Sequence, residues 1–120
     1  MSLLKAGTKF DGGKPRMGLL PGAALHAIAR GFTYGARKYD DHNWRRGMKW
    51  SRLQDALLRH LTAWSEGEAR DPESGLSHLA HAGCCLLMLL WYEEDLERYG
   101  HWDDRWREPE GNTPPPPMGG

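Results

Sequence analysis

The stretch SHLAHAGCCLLMLLWYEE, residues 77–94, decides how this 120-residue chain folds. The run LLMLLW at 86–91 is too long to lie on one face of a helix, so the helix that contains it must be covered on several sides. Ser77 is a favourable N-cap residue and Gly100 a favourable stop, which predicts a helix from Ser77 to about Tyr99. A chain this small gains cover most readily from further copies of itself, so we expect a homodimer or a homotetramer.

Two further helices are predicted upstream. Ser51 and Gln54 form a capping-box pattern, and the helix that they begin carries an apolar stripe of Leu53, Leu57, Leu61 and Trp64. An earlier helix starts after Pro21, is weakened at Gly31 and ends near Gly35. No strand-like alternation or internal repeat is visible. The sequence therefore predicts an all-α fold, a small bundle in which two long helices form a hairpin and a shorter helix packs against them.

The two ends of the chain have a different composition. Residues 7–22, GTKFDGGKPRMGLLPG, carry glycine and proline at close intervals and predict an ordered loop. From His101 the chain is charged and contains tryptophan, and residues 112–120, NTPPPPMGG, are typical of an extended or disordered segment. We expect a helical domain at 1–100 and a tail at 101–120.

Charge and hydropathy exclude several classes of partner. Sixteen basic and sixteen acidic residues cancel, so no overall field attracts polymeric nucleic acid or an anionic membrane. The apolar run at 82–92 is too short for a bilayer, which needs about 20 apolar residues. Cys84 and Cys85 are adjacent within that run and suit buried thiols better than a disulfide. With no signal peptide visible, we expect a cytoplasmic protein without a membrane partner.

A group of histidines and acids has the composition of a metal site. His78 and His81 lie three residues apart and so share a helix face. They follow an acidic loop with Asp71 and Glu73, and His60 adds a ring at the edge of the second helix's stripe. Nitrogen and oxygen ligands together suit Mn²⁺, Co²⁺ or Zn²⁺, whereas carboxylates alone suit Mg²⁺. The alternative is that each ring is a partly buried histidine with ordinary hydrogen-bond partners.

Asp55, Arg59 and Glu66 share another face of the second helix, and two interpretations stay open for them. In one, the two acids lie beside the histidines and Arg59 contacts a phosphate. In the other, all three are solvated, with an Asp55–Arg59 ion pair contributing about 0.3–0.5 kcal/mol.

Two loops carry groups suited to a nucleotide. Lys9, Lys14 and Arg16 lie among glycines that allow a close approach to phosphates, although the order of residues is not that of a P-loop. Further along, Lys38 offers a cation, Asn43 an amide for a base edge, and Trp44 a ring for stacking. The cations and Asn43 are equally consistent with ordinary surface or structural residues. Trp44 is equally consistent with a place in the core or an interface.

Three segments, taken in order, resemble a known family: KFDGGKPRMGLLP at 9–21, YGARKYDDHNW at 34–44, and WSRLQDALLRHLTAWSEGEARDPESGLSHLAHA at 50–82. Over roughly residues 8 to 92 they are similar to the dATP/dGTP diphosphohydrolase N-terminal domain of bacteriophage proteins, which includes MazZ-type enzymes. The wider relatives are MazG-like all-α nucleotide pyrophosphatases, which bind Mg²⁺ or Mn²⁺. Those relatives carry paired Glu-x-x-Glu and Glu-x-x-Asp motifs. Both motifs are absent from this sequence, in which His78-x-x-His81 takes the place of the second.

The resemblance implies hydrolysis of dGTP or dATP to the monophosphate and pyrophosphate, in remodelling of the nucleotide pool of an infected cell. The expected catalytic residues are Asp55, Glu66, His78 and His81. The expected ligands of one or two divalent ions are Asp55, His60, Glu66, Asp71, Glu73, His78 and His81. The expected substrate contacts are Lys9, Lys14, Arg16 and Arg59 for phosphate, Lys38 as a further cation, and Asn43 and Trp44 for the base. The alternative is a non-enzymatic helical protein that recruits a partner through its C-terminal tail.

Overall fold

The computed structural model describes residues 4–109 and residue 117. Within this part of the chain the fold is all-α, as predicted, and its one β-type feature is an isolated bridge between Arg70 and Ser77. The helices are α1 (Gly22–Tyr39), α2 (Trp50–Ser65), α3 (His78–Glu93) and the short α4 (Leu96–Tyr99). Single 3-10 turns lie at Met17–Leu19, Asn43–Arg46 and Gly100–Trp102.

The apolar helix α3 is the centre of the bundle, and α1 and α2 both pack against it. Helix α2 runs antiparallel to α3, because Trp50 at its start stacks on Tyr92 while His60 near its end contacts His78. The predicted hairpin of two helices with a third against them is thus observed, but the third helix is not the shorter one: α1 has 18 residues, and α2 and α3 have 16 each. None of the helices in residues 4–109 is long and apolar enough to cross a membrane.

Helix α1 is longer than the sequence suggested. It continues through Gly31 and Gly35 to Tyr39 and at 18 residues is the longest of the helices described, so the predicted end near Gly35 is wrong. The reason lies at Gly31, which is buried: a Cβ atom there would lie 2.5 Å from the Sγ atom of Cys84. Close packing of α1 on α3 therefore offsets the cost of a glycine within a helix, about 1 kcal/mol.

The observed helix ends in the hairpin differ in part from the predicted ones. Ser51 does not cap α2, which begins at Trp50, and its backbone N–H and hydroxyl both donate to Asp104 instead. Ser77 caps α3 as predicted, with its Oγ accepting from the Leu79 N–H at 3.1 Å. Helix α3 ends at Glu93 rather than near Tyr99, because Asp95 caps the separate helix α4.

We call the end of the hairpin built from Trp44, Trp50, Tyr92, Tyr99 and Trp102 the aromatic end. Tyr92 and Tyr99 are the largest fully buried side chains described, and their hydroxyls donate to the backbone carbonyls of Trp44 and Arg45. Burial raises the pKa of Tyr92 to about 12. Trp102 packs over Gly47 so closely that a Cβ there would lie 2.3 Å from the indole Nε1. The chain up to Asp104 therefore packs on the helical unit.

Three further predictions concern the cysteines, the proline-rich run and the outer face of α3. Cys84 and Cys85 are buried free thiols, as predicted, and burial raises the pKa of Cys84 to about 12. The proline-rich run falls largely outside the described residues, so its predicted disorder stays a prediction. Helix α3 keeps large apolar side chains at the surface. Leu79, Leu86, Leu87, Leu90 and Trp91 are each between 40 and 49% exposed.

Candidate functional site

The loop between α2 and α3 folds back over the first turn of α3. Gly67, with φ of 100°, turns the chain away from α2, a conformation that favours glycine. The loop then closes on itself, with the Asp71 N–H donating to the Leu76 carbonyl and the Gly75 N–H to the Asp71 carbonyl, each at 2.7 Å. The His78 N–H donates to the Ala69 carbonyl at 3.0 Å. These bonds hold the Asp71 carboxylate beside the rings of α2 and α3.

Four side chains meet there, and we call His60, Asp71, His78 and His81 the histidine cluster. The Nδ1 atoms of His60 and His78 lie 2.9 Å apart. Asp71 Oδ2 is 3.9 Å from His60 Nδ1 and also 3.9 Å from His81 Nε2. The rings of His60 and His81 stack, with centroids 4.8 Å apart and planes 14° apart. The two helices and the loop between them thus bring together four of the residues that the sequence selected.

The donor atoms suit a divalent cation. One ligand atom from each of His60, Asp71 and His78 lies within 4.8 Å of the others. Bonds of about 2.0–2.1 Å to nitrogen and oxygen put neighbouring ligands roughly 3–3.5 Å apart, so the observed separations of 2.9 and 3.9 Å need only small adjustments. Two imidazoles and a carboxylate are a donor set that Mn²⁺, Co²⁺ or Zn²⁺ accepts.

The surroundings keep these groups in the protonation states that a cation needs. Burial lowers the pKa of His60 and of His81, and the neighbouring His81 ring lowers that of His60 further. For Asp71 burial raises the pKa, but hydrogen bonds from the backbone N–H groups of Glu73 and Ser74 outweigh it, so the net shift is downward. Neutral rings beside an ionised carboxylate present lone pairs rather than protons to a cation.

The structure places the other proposed acids away from this cluster. Asp55 and Glu66 line a groove of about 500 Å³ on the exposed face of α2, together with Arg59. Asp55 and His60 are five positions apart, which separates them by about 140° around a helix. Glu73 instead accepts from Tyr34 at 2.9 Å and from Lys38 at 2.8 Å, and the Lys38 bond is the main cause of its lowered pKa.

A larger cavity of about 720 Å³ lies between α1 and α2, with Met88 of α3 in its lining. Asn43, Trp44 and Arg59, three of the predicted substrate contacts, line this cavity. Arg59, which directly precedes His60 in α2, lines both this cavity and the groove that Asp55 and Glu66 line.

The cavity's mouth contains two strained residues. Asp40 and His42 line it and adopt positive φ values of 92° and 58°. Such conformations cost of order 1–3 kcal/mol for residues other than glycine, and they concentrate at functional sites.

Comparison with known proteins gives a family match. The family model described as dATP/dGTP diphosphohydrolase, N-terminal, matches residues 5–105. The chain belongs to this family. A protein of Salmonella phage PMBT28 named dATP/dGTP diphosphohydrolase is 35% identical over 118 residues, which cover 92% of this chain and 40% of that protein. The chain thus spans about two fifths of that relative's length, and no solved structure gives a significant match.

Two residues that contact the histidine cluster were not selected from the sequence. Glu68 Oε1 accepts from His78 Nε2 at 2.7 Å, and Ser74 Oγ lies 2.6 Å from His81 Nε2. The sequence signal that could have pointed to Glu68 is its position directly after Gly67, the glycine that turns the loop. Ser74 lies seven residues before His81, and no helical spacing relates them.

The predicted phosphate-binding loop of this family member lies apart from the cluster. Residues 4–20 are all exposed, and Lys9, Lys14 and Arg16 line neither the groove nor the cavity. The Asp11 carbonyl accepts from the Lys14 N–H, which closes a turn at Gly12 and Gly13. The exposed cations of this segment are therefore available to a ligand only from the solvent side.

Proposed function

We propose that this chain carries a metal-dependent hydrolase site that cuts purine deoxynucleoside triphosphates, dGTP or dATP, to the monophosphate and pyrophosphate. The observation that carries the proposal is a three-residue donor set, His60, Asp71 and His78, in a domain that also has a cavity of nucleoside size. Family membership and the name of the phage relative support it. The substrate remains a proposal for this chain, because the chain covers 40% of that relative.

His60, Asp71 and His78 would hold the divalent cation. A bound cation supplies charge neutralisation for the triphosphate and a water of lowered pKa. Two neutral rings add no negative charge to a site that must also accept a polyanion, whereas a site of carboxylates alone would repel it. The nitrogen donors favour Mn²⁺, Co²⁺ or Zn²⁺ over Mg²⁺.

The cavity between α1 and α2 would hold the nucleoside. Its volume of about 720 Å³ lies in the range of small-molecule pockets, about 300–1,000 Å³. Trp44 offers a ring for stacking and Asn43 an amide for a base edge. Arg59, in the lining of the cavity, would place its guanidinium against phosphate oxygens. Lys9, Lys14, Arg16 and Lys38 line neither the cavity nor the groove, so they would reach the phosphates only from the solvent side.

His81 is the residue best placed to handle a proton. Burial lowers its pKa, so the ring is neutral at pH 7, and its Nε2 lies beside both Ser74 Oγ and Asp71 Oδ2. A neutral imidazole accepts a proton from an attacking water as a general base. Asp55 and Glu66 have no part in this proposal, because they line the separate groove on α2.

Self-association is part of the proposal. The large apolar side chains on the outer face of α3, among them Leu86 and Leu90 at 49 and 44% exposure, lack cover in a single chain. A homodimer or homotetramer would remove them from water, at roughly 25 cal/mol per Å² buried. Light scattering at micromolar concentration tests this, and a stable monomer would contradict it.

A panel of nucleoside triphosphates tests the activity. We expect dGTP or dATP with Mn²⁺ to give the monophosphate and pyrophosphate on anion-exchange chromatography, and EDTA to stop the reaction. Free nucleoside with tripolyphosphate, or diphosphate with orthophosphate, would show the proposed cleavage to be wrong. A protein that only recruits partners would show no rise in melting temperature with Mn²⁺ and nucleotide, a rise that ligand binding to the native state requires.

A further inference from the structure

The path of the chain after α2 brings Glu68 to the start of α3. Helix α2 ends at Ser65, and the Glu68 N–H donates back to the Ala63 carbonyl at 3.0 Å. Gly67, at φ of 100°, makes this reversal possible. The Glu68 side chain then lies half in solvent, 52% exposed, with its carboxylate against the buried ring of His78.

The Glu68 carboxylate determines which ring nitrogen of His78 carries the proton. An ionised carboxylate only accepts hydrogen bonds, so the 2.7 Å contact from Nε2 to Oε1 requires a proton on Nε2. A neutral imidazole carries one ring proton, which leaves His78 Nδ1 with a lone pair. That Nδ1 is the atom 2.9 Å from His60 Nδ1, inside the cluster.

Among the described residues, no contact of His78 other than that with Glu68 favours this tautomer. Its second side-chain partner there is His60, whose Nδ1 serves as donor or acceptor equally well. The ring is 5% exposed, so water is a poor substitute for the missing acceptor.

We propose that Glu68 is a positioning residue, which holds His78 in the Nε2–H tautomer and so directs its Nδ1 lone pair towards a divalent cation. This inference rests on the proposed metal site. A carboxylate behind a ligating histidine fixes the ring's orientation and raises its basicity, and its loss costs roughly 10–100-fold in metal affinity. A surface ion pair without that role would contribute only about 0–1 kcal/mol to stability and nothing to metal binding.

The test measures Mn²⁺ affinity without nucleotide, from the electron paramagnetic resonance signal of free Mn²⁺. We expect Glu68→Ala to weaken binding roughly 10–100-fold. Glu68→Gln keeps an oxygen acceptor at the same distance and should lose less than about tenfold. Glu97→Ala removes an exposed acid from the first turn of α4 and is the matched control for charge. Because Glu68 is half-exposed, its truncation leaves no buried cavity, and melting curves without metal check that each variant is folded.

Nitrogen-15 shifts of the histidine rings give a second readout. In the wild-type protein the His78 signals should show a protonated Nε2 and an unprotonated Nδ1, and in Glu68→Ala a mixture of tautomers. Unchanged Mn²⁺ affinity in Glu68→Ala, or a wild-type ring protonated at Nδ1, overturns the positioning role while leaving the proposed function standing. A wild-type protein that binds no divalent cation overturns both.

Discussion

The two ends of the α2–α3 hairpin bury polar groups in opposite ways. At the aromatic end, the hydroxyls of Tyr92 and Tyr99 donate to backbone carbonyls, while the buried indole N–H of Trp50 has no hydrogen-bond partner among the described residues. At the other end, His60 and His78 face each other through nitrogen atoms 2.9 Å apart, and the Asp71 carboxylate stands 3.9 Å from the first of them. The aromatic end ties its tyrosine hydroxyls to the backbone, and the other end holds two ring nitrogens that share one proton.

This difference separates structural polar groups from binding groups. A buried hydroxyl bonded to a carbonyl stabilises one packing arrangement and has nothing left to offer a ligand. Two rings and a carboxylate that compete for one proton gain more from a cation than from each other. The aromatic end should therefore govern stability, and the histidine cluster should govern metal binding.

The largest expected effect is on the histidine cluster. His78→Ala should lower Mn²⁺ affinity and dGTP turnover by more than roughly 100-fold, the upper range for losing a residue that only supports a ligand. Mn²⁺ titration and pyrophosphate release measure the two effects. His26→Ala, which removes an exposed histidine of α1, is the control. A folded His78→Ala protein with unchanged Mn²⁺ affinity would remove the distinction between the two ends.

Gly31→Ala tests the packing of α1 on α3, which belongs to neither end of the hairpin. The new Cβ would lie 2.5 Å from Cys84 Sγ, and overpacking of this kind costs about 1–3 kcal/mol. In Gly35→Ala the Cβ meets no atom within 4 Å, so that variant should be stabilised by about 0.5–1 kcal/mol. Urea unfolding measures both. Equal effects at the two glycines would contradict the close packing of α1 on α3.

Tyr92→Phe tests the aromatic end. The variant loses the bond to the Trp44 carbonyl, which keeps its bond from the Gly47 N–H, so we expect a loss of about 1 kcal/mol in the free energy of unfolding. Mn²⁺ affinity should not change. Tyr39→Phe, at an exposed tyrosine, is the matched control for stability. A loss of Mn²⁺ affinity without a loss of stability would reverse the roles assigned to the two ends.

The smallest expected effect is an acid dependence beside the aromatic end. Hydrogen bonds from Arg105 lower the pKa of Asp103 to about 2. A carboxyl whose pKa is lowered by folding stabilises the protein above its unfolded pKa, near 3.9, and loses that contribution as the pH falls towards 2. Both arginine partners are largely exposed, so the contribution is no more than about 1 kcal/mol.

Asp103→Asn provides the measurement of that acid dependence. The difference in unfolding free energy between wild type and Asp103→Asn should be present at pH 6 and shrink between pH 4 and pH 2. A difference that stays constant over this range would show that the ion pairs do not cause it.

Sequence reasoning succeeded where the determining interactions are local. The apolar run of α3 and the Ser77 cap depend on neighbours within a few residues, and both are observed. His60 and the pair in α3 followed from helical spacing and from the hairpin. Whether these residues bind metal stays a prediction.

The failures have long-range causes. Ser51 looked like a cap, but Asp104, 53 residues later, binds it within the first turn of α2. For Asp55 and Glu66 the sequence left two interpretations open, and the structure puts both acids in the groove on α2, with Asp55 about 140° around the helix from His60. Glu68 depends on the backbone conformation of Gly67, which sequence spacing does not reveal.

The contacts of the aromatic end with the turn that follows α1 have a consequence for synthesis of the chain. The turn at Asn43–Arg46 forms one wall of the cavity, yet the hydroxyls that bind its carbonyls belong to residues 48 and 54 positions later. At translation rates of roughly 5–20 residues per second, this delay lasts roughly 2–11 s. The turn that lines the cavity is therefore anchored only after Tyr92 and Tyr99 have been synthesised, later than every residue of the histidine cluster.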